Sequence, residues 1–326
     1  MTQPIQAVVF TARERAELLT LDKPLGEPLP DEVAGRTLVT LVSAGTELLG
    51  RYVTDKTPAW PGYAAVFEVE AVGANVADVK VGDRLFCMGK HQSHQRVAAN
   101  MTVAVPAGLA DEDAPFVRMM GVSMATLSST AARPGQRVMV TGLGLVGHLA
   151  AQIFQTCGYR VVGVDPDENR REIALGVGIE TVLPAVPVDD GAFVGSIDLH
   201  LECSGHEQAA LDGCSVVRKR GEVVQIGAPW SRRTDIYAQT LLDKVFFRYV
   251  TLRSGWEWEL PMHAEDFRPH SIFGNYATAM SWLHSGRVKV GDLYELASPR
   301  QAQDVYQDLL HRRVESLAKS FDWRAL

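Results

Sequence analysis

Long apolar runs are missing from this chain of 326 residues. No window approaches the roughly 18 apolar residues of a membrane span. The opening segment MTQPIQAVVFTARERAE lacks a basic stretch followed by a long apolar one, so it reads as a strand and not as a secretion signal. An excess of positive charge is missing too. With 32 Lys and Arg against 39 Asp and Glu, the net charge is −7, which argues against a broad nucleic-acid face. Cysteine is scarce: Cys87, Cys157, Cys203 and Cys214 form no CxxC pair and no spacing suited to a structural zinc site. They fit reduced thiols in a cytoplasmic protein better than a disulfide framework. Internal repeats and low-complexity tracts are absent. What is present is ordinary for a globular protein, 46% hydrophobic and 22% charged, and the length calls for two domains. The partners expected are a small-molecule substrate and neither nucleic acid nor membrane.

The first third carries short β-type runs at Ala7–Phe10, Thr37–Val42, Val66–Val72, Arg84–Met88 and Arg96–Ala98, punctuated by Pro61-Gly62 and Gly82-Asp83. This predicts a compact, mainly antiparallel β domain. Ala114–Ala132 reads as one or two helices, ended by Arg133-Pro134-Gly135. Strands and helices then alternate. Val138–Thr141, Val161–Val164, Ile197–Glu202 and Glu222–Ile226 are strand-like, and His148–Cys157, Glu168–Leu175 and Glu207–Val217 are helix-like. The rhythm predicts an α/β, doubly wound parallel sheet with helices on both faces. It stops after about Gly255, where Asn275–His284 and Arg300–Arg312 look helical and Leu317–Asp322 looks like a closing strand.

Between the first of these strands and its helix stands Gly142-Leu143-Gly144-Leu145-Val146-Gly147, a G-x-G-x-x-G turn. Alone the pattern is weak, but strand before and helix after are the context that gives it meaning. Gly142 permits the tight turn, Gly144 lets a pyrophosphate approach the backbone, and Gly147 lets the helix pack on the strand. The helix N-terminus offers unpaired N–H groups to the phosphates. Asp165 closes the second strand about 20 residues further on, where an acid is expected on the adenosine ribose. A carboxylate there favours NAD over NADP, although Arg170 or Arg171 could reach a 2′-phosphate.

The whole chain resembles the medium-chain dehydrogenase/reductase superfamily of the zinc-type alcohol dehydrogenase-like group. The resemblance rests on Val42-Ser-Ala-Gly-Thr-Glu47, Pro61-Gly-Tyr-Ala64, Val81-Gly-Asp83, Pro134-Gly135, Gly142–Gly147, Glu202-Cys-Ser-Gly205, Ile226-Gly227 and Lys319–Trp323. It implies a GroES-like catalytic β domain over residues 1–118 and 256–326, and a Rossmann domain over 119–255. It places Cys203, Ser204 and Gly205 near the adenosine side, Gly227 and Ala228 beside the nicotinamide, and Lys319 on the pyrophosphate. Packing explains the two glycines equally well, and Lys319 also fits a solvated surface residue. The stretch Val245–Arg253 matches the edge strand through which members of the group form homodimers.

The departures from the group are informative. Zinc-dependent members carry a cysteine where Ala44 stands and His-Glu where Tyr63-Ala64 stands. Near Arg118–Met120 no usual zinc ligand occurs, and Cys87-Met-Gly-Lys-His91 runs on without the second, structural zinc lobe. No metal is therefore expected. Proton transfer must fall to side chains that line the group's substrate cleft. Tyr63 carries a phenol, His91 an imidazole just after a strand, and Thr46 matches a relay hydroxyl. Glu47 matches a supporting acid that could hold Thr46 or an arginine, and Arg118 could polarise a carbonyl or hold an anion. Each also has a plain structural reading, as volume filler, loop cap or turn former. Trp256 and Trp258 fit a cleft wall, a hinge or a subunit interface alike.

These readings converge on a zinc-independent, NAD-dependent oxidoreductase moving hydride between nicotinamide and a secondary alcohol or ketone, with a sugar-like or natural-product skeleton among the substrates the resemblance suggests. Two alternatives stay open. One is an NAD(P)H-dependent reductase of activated C=C bonds of the quinone or enoyl type. The other is a relative that binds NAD without catalysis.

Overall fold

Valine-, leucine- and threonine-rich runs make the first strands, and β1 and β3 are both largely buried. The computed structural model describes residues 4–22 and 25–326. Two compact units divide the chain: residues up to Arg118 together with Tyr276–Leu326, and Met119–Asn275.

In the first unit, β1 (Ile5–Ala12) and β2 (Arg15–Leu21) form an antiparallel hairpin. A seven-stranded sheet holds β3 (Glu32–Leu41), β4 (Ala65–Val72), β5 (Arg84–Cys87), β6 (His94–Ala98) and β7 (Thr102–Ala104). It closes with β14 (Tyr294–Ala297) and β15 (Ala318–Asp322), in the order β14-β15-β3-β4-β5-β7 with β6 on β3. All these pairings are antiparallel except β14 with β15, as the short alternating runs predict. Strand β3 is buried over nearly its whole length, and at Gly35 a Cβ would lie 1.8 Å from the Glu68 carbonyl, so the β3–β4 bulge there needs glycine. A π-helical segment, Gly45–Tyr52, and α7 (Ala302–Leu310) cover one core, in which Phe10, Tyr52 and Tyr306 pack with ring centroids 4.8–5.2 Å apart.

The second unit is a six-stranded parallel sheet of β8 (Arg137–Thr141), β9 (Arg160–Val164), β10 (Thr181–Leu183), β11 (Ile197–Glu202), β12 (Val217–Gln225) and β13 (Thr251–Ser254). The order β10-β9-β8-β11-β12-β13 is that of a Rossmann sheet, with its switch point between β8 and β11. Strands β8, β9 and β11 are buried almost throughout because helices cover both faces. The crossovers are α2 (Leu145–Thr156), α3 (Glu168–Gly176), α4 (Glu207–Val216) and α5 (Ala238–Arg248). Helices α1 (Val117–Ser129) and α6 (Ile272–His284) run through the two boundaries between units. The GroES-like and Rossmann expectation thus holds for the fold. Among the described residues no helix is long and apolar enough to cross a membrane.

Two sequence expectations need revision. The stretch Val245–Arg253 is not one strand: Val245–Arg248 ends α5, Tyr249 turns in the left-handed region (φ 56°), and only Thr251–Ser254 forms the edge strand. Its apolar run mixes a helix end with a strand start, which an unbroken hydrophobic pattern cannot separate. The second unit also ends at Asn275, beyond the expected 255. Backbone bonds from Ile272 N to Pro261 O and from Phe273 N to Met262 O tie the segment after β13 to the start of α6.

Two histidines are wholly buried in the second unit. His200 donates to or accepts from Thr141 Oγ1 at 2.9 Å, and burial pushes it down to about 3. His148 has no hydrogen-bond partner for either ring nitrogen, and burial pushes it down to about 4. Both are neutral when folded but gain protons when unfolded below about pH 6.5. Stability therefore falls as pH drops from that value towards 4, by on the order of 2 kcal/mol per histidine at about pH 5. Replacing His148 with leucine is expected to flatten the acid limb of the thermal midpoint measured by circular dichroism. An unchanged limb would contradict this assignment.

Candidate active site

The glycine turn lies at the switch point. Gly142 adopts φ +81°, and a Cβ there would lie 2.8 Å from Ser204 Cα. At Gly147 a Cβ would lie 1.8 Å from the Gly142 carbonyl and 3.1 Å from Cys203 Cβ, so α2 packs backbone to backbone on the turn. Gly144 differs. It caps α2, and the nearest atom to a Cβ there is Arg170 Nη1 at 3.9 Å. Gly142 and Gly147 are therefore needed by the fold, whereas Gly144 borders open space at a helix N-terminus lined by Leu145 and Val146.

Asp165 is braced from inside. Its carboxylate is 2% exposed and accepts from Leu143 N (2.7 Å) and Asp167 N (2.9 Å), with Arg170 Nη1 3.5 Å away. It fixes the turn first, and its charge sits at the end of β9. Arg171 is spent on the Asp165 and Pro166 carbonyls.

The neighbouring strand ends are joined by a residue that the sequence reading passed over. Glu202 ends β11 fully buried, and accepts from Ser204 N (2.7 Å), Ser204 Oγ, Gly205 N (2.9 Å) and Gln225 Nε2 (2.5 Å). Its backbone carbonyl accepts from Ile226 N and Gly227 N. Burial raises its pKa against the pull of these donors. Gly205 (φ +68°) and Gly227 interlock: a Cβ on the first would lie 2.6 Å from the Ala228 carbonyl, and one on the second 2.2 Å from Gly205 N. Packing thus accounts for both glycines. The acid was visible in Glu202-Cys-Ser-Gly205, but nothing in the spacing told that it faces inward.

In the first unit a polar group gathers around the π-helical segment. Glu47 is 2% exposed and accepts from Ser43 N (2.8 Å) and the Tyr306 hydroxyl (2.5 Å), with His91 Nε2 at 3.1 Å. The expectation that Glu47 holds Thr46 or an arginine is thereby corrected. His91 is 0% exposed, with its other nitrogen 2.7 Å from Thr40 Oγ1, which also receives Trp323 Nε1. Its ring is wholly buried, packed edge-on against Phe321, with both nitrogens taken by Glu47 and Thr40, so the side chain that the sequence places in the cleft faces inward in this structure. Tyr63 is half-buried, and its hydroxyl donates to Ser43 Oγ. Thr46, which is exposed, adds a hydrogen bond to the same phenol. Burial raises the Tyr63 pKa, opposed first by the Arg118 charge. Arg118 is buried (4% exposed), with its guanidinium carbon 4.6 Å from the Tyr63 ring centroid and 6.0 Å from that of Tyr276. Lys319 pairs with Glu295 across β14 and β15. Trp256 and Trp258 are both exposed. Among the described residues no three or more His, Cys, Asp or Glu side chains group as a metal site would require.

A model of the zinc-binding dehydrogenase family matches residues 146–259. An alcohol dehydrogenase of Geobacillus stearothermophilus is 27% identical over 213 residues, covering 54% of this chain and 63% of the relative. A sorbitol dehydrogenase of Halalkalibacterium halodurans is 33% identical over 131 residues, 38% of each chain. The chain thus matches less than two thirds of either relative's length. The crystal structure of galactitol-1-phosphate dehydrogenase from Escherichia coli superimposes with TM-score 0.82 at 16% identity, covering 97% of this chain and 99% of that one.

The two glycines of the turn predict opposite outcomes. Gly147→Ala should cost several kcal/mol, on the scale of about 3 for overpacking against a fixed backbone, measured by urea unfolding. Gly144→Ala should leave the unfolding midpoint nearly unchanged. Equal losses would show that Gly144 does not border open space.

Proposed function

The chain belongs to the medium-chain dehydrogenase/reductase superfamily, and from that premise we propose that it is a zinc-independent, NAD-dependent dehydrogenase of secondary alcohols, or reductase of the corresponding ketones. The alcohol and sorbitol dehydrogenases that it matches support an oxidoreductase activity. The finer reading is carried by one observation: Tyr63, bonded to Ser43 and Thr46, stands where zinc-dependent members carry a ligand.

The second unit offers what a nicotinamide dinucleotide needs. The N-terminus of α2 presents backbone donors beside Gly144, where no Cβ intrudes. The buried Asp165 charge at the end of β9 disfavours a 2′-phosphate and supports NAD. Ser204, Gly205, Gly227 and Ala228, latched by Glu202, shape the adjoining edge. The bound coenzyme supplies a hydride acceptor or donor.

The first unit handles the proton. The Tyr63 phenol, whose pKa burial raises, can donate its proton to a carbonyl oxygen that gains negative charge. In the oxidative direction the same oxygen takes the hydroxyl proton as its own proton moves along the hydrogen bond to Ser43 Oγ, and Ser43 and the exposed Thr46 release one proton to solvent. Arg118, packed on the Tyr63 ring, favours the phenolate. His91 and Glu47 are positioning residues that hold Ser43 and the π-helical segment. The polyol and alcohol names of the relatives support a secondary alcohol with a sugar-like skeleton. All four cysteines are free, which suits the reducing cytoplasm.

A homodimer is part of the proposal. Strand β13 is the sheet edge, and beside it Phe246 and Phe247 are 74% and 67% exposed, with Leu242 and Tyr249 close in sequence and equally bare. Such a patch next to an open edge suits pairing with a second copy.

Three outcomes follow. Secondary alcohols should be oxidised with NAD at kcat/KM well above that with NADP, and silence across a broad alcohol and ketone panel would overturn the reading. Tyr63→Phe should lower kcat by about 10²- to 10⁴-fold while coenzyme Kd, measured by calorimetry, stays unchanged. Phe246→Glu combined with Phe247→Glu should halve the mass seen by light scattering, and an unchanged mass would reject this interface.

A further inference from the structure

Where β8 and β9 begin, the parallel sheet carries positive charge that the protein does not balance. Arg137 opens β8, Arg160 opens β9, and the register pairs the two directly. Paired strands lie about 4.8 Å apart, and residues in register leave the sheet on the same face, so two like charges start side by side. Both guanidiniums are held by neutral groups. Arg137 Nη1 donates to the Ala192 carbonyl (2.9 Å) and Ser196 Oγ (2.8 Å), with the Phe193 ring centroid 4.9 Å from its guanidinium carbon. Arg160 Nε donates to the Gly135 carbonyl (2.9 Å). Among the described residues no carboxylate pairs with either guanidinium. Other arginines of this sheet are neutralised: Arg218 by Asp198 at 2.7 Å and Arg253 by Glu222 at 2.5 Å. Asp198 meets only the backbone N of Arg137 (3.0 Å).

A cleft of about 480 Å³ opens at this end of the sheet, lined among others by Arg137, Arg160, Gln155, Tyr159, Glu180 and Thr181. Its size is that of a small-molecule site. Gln155 Nε2 and the Tyr159 hydroxyl are spent on the Gly178 and Ala132 carbonyls (2.8 and 3.1 Å), which fixes the walls. Glu180 is exposed, and among the described residues no hydrogen bond or ion pair engages it. The cleft thus offers two positive charges and one negative. It lies wholly in the second unit, at the opposite end of the five-residue strand β8 from the glycine turn.

We propose that this cleft binds a small zwitterion with two negative charges and one ammonium, its anionic part on Arg137 and Arg160 and its ammonium on Glu180. Such a ligand has net charge −1 and meets a site of net charge +1. Guanidinium forks match carboxylate and phosphate oxygens bidentately, and holding both forks on backbone carbonyls lowers the cost of ordering them on binding. Glu180 repels a plain dianion and attracts the amine-bearing one. An α-amino dicarboxylate gives each arginine its own carboxylate, whereas an aminoalkyl phosphate sets one dianion between them. The site stands apart from the reaction proposed above.

Calorimetric titration of the full-length protein, in dilute buffer free of phosphate, tests both halves of the match. The probes are glutamate and O-phosphoethanolamine, each beside its analogue without the amine, glutarate and ethyl phosphate. At least one zwitterion should bind saturably, with Kd at least about tenfold below that of its analogue, and the tighter of the two tells paired carboxylates from a single phosphate. Arg160→Gln should raise that Kd about tenfold or more, Arg160→Lys should raise it less, and added salt should weaken binding. Glu180→Gln should erase the preference for the amine. No saturable heat with either zwitterion, equal binding of a zwitterion and its analogue, or an unchanged Kd in Arg160→Gln overturns the proposal. Displacement of the bound zwitterion by NAD would put it on the glycine turn and overturn the proposal as well.

Discussion

Glu47 is a carboxylate with almost no water, and the first unit is built around satisfying it. A buried carboxylate is costly unless its oxygens are filled with donors. Here Ser43 N, the Tyr306 hydroxyl and His91 fill them, drawing the π-helical segment, α7 and the loop before β6 to one point. Ser43 is thereby fixed, and Tyr63 finds its partner on Ser43 Oγ. The position of the one phenol proposed to move a proton follows from a charge that does no chemistry itself. Removing that charge would leave His91 and Tyr306 buried without their acceptor, so its loss would be felt in folding before it was felt in turnover.

A similar logic shapes the second unit. Glu202 ends β11 and gathers four donors from the turns at Ser204–Gly205 and from Gln225. The interlocked glycines 205 and 227 leave no room for side chains, and Gly147 presses α2 onto Gly142. Buried carboxylates thus organise both units, and the open position, Gly144, stands out because its surroundings are so tightly specified. Rigid support of this kind is what a binding edge needs if a ligand is to meet preformed donors.

Much of this was legible in the sequence. The strand–glycine turn–helix pattern located β8, Gly142–Gly147 and α2, because periodicity and glycine spacing act over a few residues. The alternation that follows fixed the parallel sheet, and the substitutions at Ala44, Tyr63 and Ala64 pointed to Tyr63. Less local properties were not legible. His91 looked available because the resemblance puts its stretch along the substrate cleft, but its ring is buried between Phe321, Glu47 and Thr40, partners distant in sequence. The pairing of Lys319 with Glu295 was not legible either, because Glu295 lies on a strand that pairs with its own only in the fold. The α5–β13 junction was blurred by apolar residues that serve a helix on one side and a strand on the other.

The central claim is that side chains around Tyr63, and not a metal ion, manage charge on the substrate oxygen. Exhaustive dialysis against a strong zinc chelator, followed by elemental analysis and an NAD-linked assay on the same sample, tests it most directly. The account predicts less than stoichiometric zinc and undiminished turnover. Activity that vanishes with the metal and returns on adding Zn²⁺ would contradict it.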